Sequence, residues 1–236
     1  MRYQPVIGLE IHCELLTDSK VFCSCANAFG GSENTRACPR CSGMPGTLPI
    51  LNQGAVRLAA KAGFATNCTV HRYSSFDRKN YFYPDLPKAY QITQFFEPIC
   101  TDGHITVCDG TDIRINRIHI EEDAGKLVHD DYEGISLADY NRCGVPLIEI
   151  VTEPDFRTVE QVQDFVQKIA LCLKYADVCD ARMDQGSLRV DVNISLMPYG
   201  SDKFGTRAEL KNLNSIKSIG RAIEHEIKRQ SEILDN

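Results

Sequence analysis

Several stretches of the chain alternate apolar and polar residues with a period of two, which predicts half-buried β-strands. VIGLEIHCEL at 6–15 is the first. Glu10 and His12 share one of its faces and Leu9 and Ile11 the other. HITVCDG at 104–110 and TDIRINRIHIEED at 111–123 predict two more strands, with the DG dipeptide as a hairpin turn between them. In the second, His119, Glu121 and Asp123 lie on one face and Ile118 and Ile120 on the other. VPLIEIVTEP at 145–154 is a nearly all-apolar strand interrupted by Glu149 and stopped at Pro154. SLRVDVNISLM at 187–197 sets Arg189, Asp191 and Asn193 against Leu188, Val190, Val192 and Ile194. TRAELKNLN at 206–214 does the same with Arg207, Glu209 and Lys211 against Ala208 and Leu210.

Helical spacing appears at 53–65, 157–177 and 215–236. Residues 19–52 are rich in Cys, Gly, Pro and Asn and predict a loop-rich insert. Residues 72–98, with many Tyr, Phe and Pro residues, predict an ordered loop or ribbon. Strands joined by short turns favour an α+β fold: a mainly antiparallel sheet with helices packed on one face.

The opposite face of such a sheet collects acids. Carboxylates and an imidazole brought together repel one another and raise each other's pKa values, unless a cation neutralises them. Carboxylate oxygens suit Mg²⁺, which keeps waters and bridges phosphates. Arg189, Arg207 and Lys211 are placed to grip phosphate oxygens. For any one strand taken alone a solvated polar face is the better explanation of the alternation. The recurrence on five strands, and the apolar surroundings of Glu10 and Glu149, favour a site. No GxxxxGK[ST] loop occurs, so phosphate binding needs another design.

Cys23, Cys25, Cys38 and Cys41 form CxC, twelve residues, then CxxC. Two close pairs of thiolates can complete a tetrahedral zinc shell with bonds of about 2.3 Å, leaving no open position, so the site would be structural. The alternative is four reduced cysteines in a loop. A thioredoxin-like CxxC lacks its βαβ context. Cys13, Cys68, Cys100, Cys108, Cys143, Cys172 and Cys179 read as small apolar residues.

Composition narrows the picture. The 236 residues suffice for one large domain or two small ones. Eleven scattered cysteines without a signal peptide argue against a secreted disulfide framework and for the cytoplasm. No apolar run is long enough for a membrane span. A net charge of -6 disfavours non-specific nucleic-acid binding.

GLEIH at 8–12, the CxC and CPxCxGxPGxLPxLN insert at 23–52, FDRKNYFYPDLPKAYQITQ at 76–94, HIEEDAGK at 119–126, DYNRCGVPLIEIVTEPD at 139–155, RVDVNIS at 189–195 and GTRAELKNLNS at 205–215 together resemble the GatB family, the B subunits of Glu-tRNA(Gln)/Asp-tRNA(Asn) amidotransferases. The resemblance runs from end to end. It implies a cradle domain like glutamine synthetase and guanidino kinases, incomplete over 1–236, with a helical and a tail domain following in full-length members. It implies a cytoplasmic ligase that uses ATP to phosphorylate the side-chain carboxylate of Glu or Asp on misacylated tRNA. Ammonia from a partner glutaminase then gives Gln-tRNA(Gln) or Asn-tRNA(Asn). The implied assembly is a heterotrimer with that glutaminase (GatA) and a third, C-type subunit (GatC).

Carried over by motif, the resemblance assigns Glu10, His12, Glu121 or Glu122, Glu149, Asp191 and Glu209 to the phosphoryl-transfer shell, with Glu10, His12, Glu122 and Glu149 as Mg²⁺ ligands. Parity favours Glu121 over Glu122 if the strand stays extended, and a bulge would reverse that. Lys79, Tyr81, Lys88, Tyr90 and Gln91 become candidates for lining the tunnel and substrate site, although Tyr residues also serve as core packing. Two other functions fit the residues: a zinc-stabilised RNA-binding module without catalysis, and a glutamine-synthetase-like ligase acting on a free amino acid.

Overall fold

The computed structural model describes residues 2–130 and 132–235, so Asn236, the last residue of the third expected helix, lies outside the described residues. At the centre is a seven-stranded sheet. In chain order its strands are β1 (Tyr3–Glu14), β2 (Thr69–Val70), β5 (Cys100–Thr106), β6 (Asp112–Glu122), β9 (Pro146–Thr152), β10 (Leu188–Pro198) and β11 (Ala208–Leu213). Across the sheet they lie in the order β11-β10-β1-β9-β6-β5-β2, and every neighbouring pair is antiparallel. Two separate hairpins flank it: β3 (Asp77–Asn80) with β4 (Tyr90–Thr93), and β7 (Lys126–Asp130) with β8 (Ile135–Asp139). The first realises the ribbon expected within 72–98. The second was not legible, because its residues are mostly exposed and its apolar alternation is confined to Ile135 and Leu137.

Three helices cover one face: α1 (Gln53–Ala65), α2 (Val159–Tyr175) and α3 (Ile216–Asp235). The Asn52 side chain caps α1 by accepting from the Gly54 N–H. Thr158 and Gln161 form a reciprocal capping box on α2, which satisfies two donors that the helix itself cannot. Ile7, Leu9, Ile11 and Cys13 of β1 and Leu188, Val190, Val192 and Ile194 of β10 are buried under these helices with Val162, Phe165, Val166 and Ile169 of α2. Phe156 meets Phe165 edge to face at 5.2 Å.

The apolar phase is not continuous along β6. Ile113 and Ile115 are odd-numbered and Ile118 and Ile120 even, yet all four lie in the core. An extra residue between Ile115 and Arg117, opposite the step from Thr152 to Val151, produces the change. A bulge of this kind shifts facing by one position, so the hydrophobic set stays under the helices. β11 uses the same device: the register slips between Leu210 and Leu213 beside Asn212, whose φ is +61°. Both leucines therefore pack against the core.

The cysteine expectation needs correction at two positions. Cys13, Cys68, Cys100, Cys143 and Cys179 are buried, but Cys108 is exposed and Cys172 only half-buried, so these last two are not core residues.

Truncating Phe165, which is fully buried between sheet and helices, is expected to lower the unfolding free energy by about 3–5 kcal/mol, measured by urea titration of Phe165→Ala. A loss below about 1 kcal/mol would mean that α2 is not a structural wall of the core.

Candidate functional site

The sheet's other face carries the polar residues, and strand register sorts them into rows. His12 lies opposite Arg189 on β10 and Glu149 on β9, and Glu149 lies opposite His119 on β6. Antiparallel partners stand close enough for their side chains to interact. Arg189, His12, Glu149 and His119 thus form one row across four strands. Two residues further along, Asp191 and Glu10 form the next.

The first row closes into a compact group with Glu121. His12 Nε2 lies 3.3 Å from Glu121 Oε1 and 3.7 Å from Glu149 Oε2. His119 Nε2 lies 3.1 Å from Glu149 Oε2 and 3.9 Å from Glu121 Oε2. Gln91 Nε2 donates to Glu121 Oε2 at 3.1 Å. One ligand atom each from His12, Glu121 and Glu149 falls within 4.8 Å of the others, so the three could hold a metal ion. His12 and Glu121 line a cleft of about 690 Å³, together with Lys79, Tyr81, Asp123, Arg142, Arg189, Asp191 and Lys211.

The electrostatics divide the two acids. Burial, reinforced by the Glu149 charge, pushes the Glu121 carboxyl up to about 8. Burial also acts on Glu149, but the hydrogen bond and charge of His119 and the charge of His12 outweigh it and hold that carboxyl at about 2. Burial lowers His12 against the pull of Glu149, which favours the neutral form of imidazole that a metal ion binds. A carboxyl held low, a carboxyl held high and the His12 imidazole therefore meet at one point.

The expected site residues separate into five places. His12, Glu121 and Glu149 form the compact group. Lys79, Tyr81, Gln91, Arg189, Asp191 and Lys211 line the same cleft. Glu10 and Arg207 line a neighbouring cleft of about 320 Å³, where Glu10 Oε1 accepts from Asn193 Nδ2 at 3.0 Å. Glu209 lies on the outermost strand, bridged to Lys211 at 2.8 Å, and Lys211 also reaches Asp191 at 3.3 Å.

Glu122, Lys88 and Tyr90 face away from the compact group. The end of β6 stays extended, pairing Glu121 with Leu147 and Glu122 with Pro146, so the two acids point to opposite sides. Glu122 is 2% exposed, pairs with Lys88 Nζ and accepts from the Ile92 N–H at 2.9 Å. Its grouping with His12 and Glu149 as a ligand is therefore corrected: its carboxylate anchors the β3–β4 hairpin. That hairpin also meets β6 through Gln94, which accepts from the Ile120 N–H, and Gln91, which donates to the Glu122 carbonyl. Tyr90 is stacked under the Arg78 guanidinium at 4.1 Å, a packing role.

Three residues of the site escaped the motif-based set: His119, Asp123 and Arg142. Strand parity had already put His119 and Asp123 on Glu121's face, which was the available signal. Arg142 lies in a loop and had none. Asp123 is 5% exposed and holds Arg189 at 3.0 Å and Arg142 at 3.5 Å.

On the far side of Glu122 the insert folds back. Cys23, Cys25, Cys38 and Cys41 bring their sulfurs within 4.8 Å of one another. The Cys38 N–H donates to Cys41 Sγ at 3.1 Å. A hydrogen bond from Cys23 and that backbone N–H, with the Lys20 ammonium, overcome burial and draw Cys41 down to about 4. Gly43, at φ +69°, completes the turn, and a Cβ there would meet Lys88 Cγ at 2.5 Å.

The GatB/GatE catalytic-domain profile matches residues 5–236. The chain belongs to the GatB/GatE catalytic-domain family. Within this family, it is 62% identical over its whole length to the B subunit of the aspartyl/glutamyl-tRNA(Asn/Gln) amidotransferase of Ruminiclostridium cellulolyticum, of which it covers 49%. It is 60% identical to the protein of the same name from Caldicellulosiruptor saccharolyticus and 56% to that from Thermoanaerobacter pseudethanolicus, covering 50% of each. The chain thus spans about half the length of the curated relatives it matches. No helix among the described residues is long and apolar enough to cross a membrane.

The opposed acids can be tested by stability. Glu121 is neutral in the fold and ionised in the unfolded chain above about pH 4.5, so its contribution to stability is present below that pH and is lost as pH rises through about 8. In magnesium-free buffer Glu121→Gln is expected to be more stable than the parent at pH 8, by on the order of 2–4 kcal/mol, with the gap closing below pH 4.5. Denaturant melts at both pH values measure it, and a pH-independent difference would refute the burial argument. Glu122→Gln, by contrast, strands a buried ammonium and is expected to cost about 3–5 kcal/mol, most of it recovered in the Lys88→Met/Glu122→Gln double variant. Equal stability of Glu122→Gln and its parent would remove Glu122's anchoring role.

Proposed function

We propose that the full-length protein phosphorylates, at the expense of ATP, the side-chain carboxylate of Glu-tRNA(Gln), Asp-tRNA(Asn) or both. It then amidates the activated acyl group with ammonia from a partner glutaminase, as part of an assembly with A and C subunits. The observation that carries this reading is the His12–Glu121–Glu149 group in a basic-rimmed cleft, in a chain 62% identical to an amidotransferase B subunit. A glutamine-synthetase-like cradle is the architecture proposed for the domain, supported by its antiparallel sheet with helices on one side only.

The chemistry needs three things. The substrate carboxylate oxygen must reach the γ-phosphorus in line with the departing ADP. The charge on the phosphoryl oxygens must be met. Ammonia must then attack the acyl phosphate carbonyl, and inorganic phosphate leaves; no protein nucleophile takes part. His12, Glu121 and Glu149 suit a divalent cation: two carboxylates and a neutral imidazole leave its other positions to water and phosphate. Mg²⁺ bound there would neutralise phosphate charge. Arg189, fixed by Asp123, and Lys79 and Lys211 supply cationic donors at the cleft rim. Gln91 donates to Glu121 and His119 pairs with Glu149, contacts that would fix both carboxylates beside a bound ion.

For the cysteine cluster the proposed occupant is a structural zinc ion. Four sulfurs in mutual reach, with backbone N–H support, match its tetrahedral thiolate preference.

The test is ATP-dependent conversion of Glu-tRNA(Gln) by the full-length protein with its partner subunits. His12→Ala is expected to reduce transamidation by at least about 100-fold while glutaminase activity persists. Transamidation close to that of the parent would remove the group from the reaction. ATP turnover that free glutamate supports as well as aminoacylated tRNA would point to a free-amino-acid ligase. Binding of tRNA without any ATP turnover would point to a non-catalytic RNA module.

A further inference from the structure

Lys20 has no solvent exposure at all. Its ammonium donates to the Arg36 carbonyl at 2.7 Å, the Tyr140 carbonyl at 3.2 Å and Cys41 Sγ at 3.7 Å. A buried ammonium with only neutral acceptors is costly, so a lysine kept there needs an anion. The neighbouring carboxylate does not serve. Glu122 lies across Gly144 from Lys20, but Lys88 already occupies it. The remaining anionic candidate is the cysteine cluster. Four thiolates around a divalent ion leave two negative charges in excess, and this cluster is half-enclosed, with Cys23 and Cys41 buried.

We propose that Lys20 is the charge partner of the four-cysteine cluster. Resting on the zinc reading above, this makes Lys20 a positioning residue. Its ammonium offsets part of the excess charge through the N–H···S contact to Cys41 and so sets how tightly the ion is held. The two carbonyls fix where that charge sits. One belongs to the insert and the other to the loop that leads through Cys143 and Gly144 into β9. A plain structural staple through the same two carbonyls would stabilise the fold equally with and without the ion. A charge partner matters most when all four thiolates are gathered around the ion.

The experiment compares the full-length protein with Lys20→Met, which keeps the chain length but removes charge and donors. Zn²⁺ is the probe. Its stoichiometry, its affinity against a competing chelator and the melting temperatures of loaded and stripped protein are read together. The expected result is one zinc in both proteins, affinity lowered about 10- to 100-fold in Lys20→Met, and a fall in melting temperature that is clearly larger for the loaded than for the stripped protein. Equal zinc affinity, or an equal fall in melting temperature with and without zinc, overturns the proposal and leaves Lys20 a staple. A parent protein that takes up no zinc ends the zinc reading and this inference with it.

Cys38→His, which replaces one thiolate of the cluster with a neutral imidazole, provides the second variant. Adding Lys20→Met to it is expected to cost several-fold less affinity than Lys20→Met costs the parent. Should Lys20→Met alone fail to fold, the double variant, with its lower negative charge, is expected to fold and hold zinc. Its failure overturns the charge argument.

Discussion

The antiparallel registration of β1 between β9 and β10 governs the rest of the molecule. One strand, buried on its helix side by Ile7, Leu9, Ile11 and Cys13, fixes the level of Glu10 and His12 on the other. Because facing alternates strictly, packing the odd residues under the helices leaves the even residues no choice of side. A slip by one position would bury Glu10 and His12 in the apolar core and lose both the packing and the site. The hydrophobic drive that stabilises the core therefore also aligns the polar rows.

Those rows are then tuned by what packs around them. Glu121 and Glu149 sit side by side, yet burial pushes one toward neutrality while the histidines hold the other ionised. A cation bound there would favour ionised Glu121 beside Glu149, which burial and the Glu149 charge now oppose. The β3–β4 hairpin makes the enclosure possible. It bonds to β6 through its side chains, anchors itself on Glu122, and brings Lys79, Tyr81 and Gln91 to the cleft. Adjacent acids on one strand thus do different work: Glu121 faces the cleft and Glu122 holds its wall in place.

The insert joins this arrangement from behind. Its turn at Cys38–Cys41 packs against the same hairpin through Gly43 and Lys88, and against the loop before β9 through Lys20 and the Val21–Gly144 hydrogen bond. The cysteine cluster supports the wall from which Glu122 and Lys88 hold the hairpin.

Local patterning was enough to specify the α+β class, the three helices, the DG hairpin between β5 and β6, and the polar face with its acids. Period-two and period-3.6 repeats report burial directly, so these features survive without coordinates. The cysteine quartet was equally legible, since CxC and CxxC are close pairs along the chain. Strand order, register and the seating of the β3–β4 hairpin came from long-range pairing. That pairing puts His12 beside Glu149 and sends Glu10 to a neighbouring cleft, and no local pattern records which strands are neighbours. The bulges in β6 and β11 were visible only as breaks in phase, and their meaning came from the helices that the isoleucines and leucines had to reach. Lys20 gave no signal at all: a lysine among polar loop residues reads as exposed, and only the folded insert closes over it.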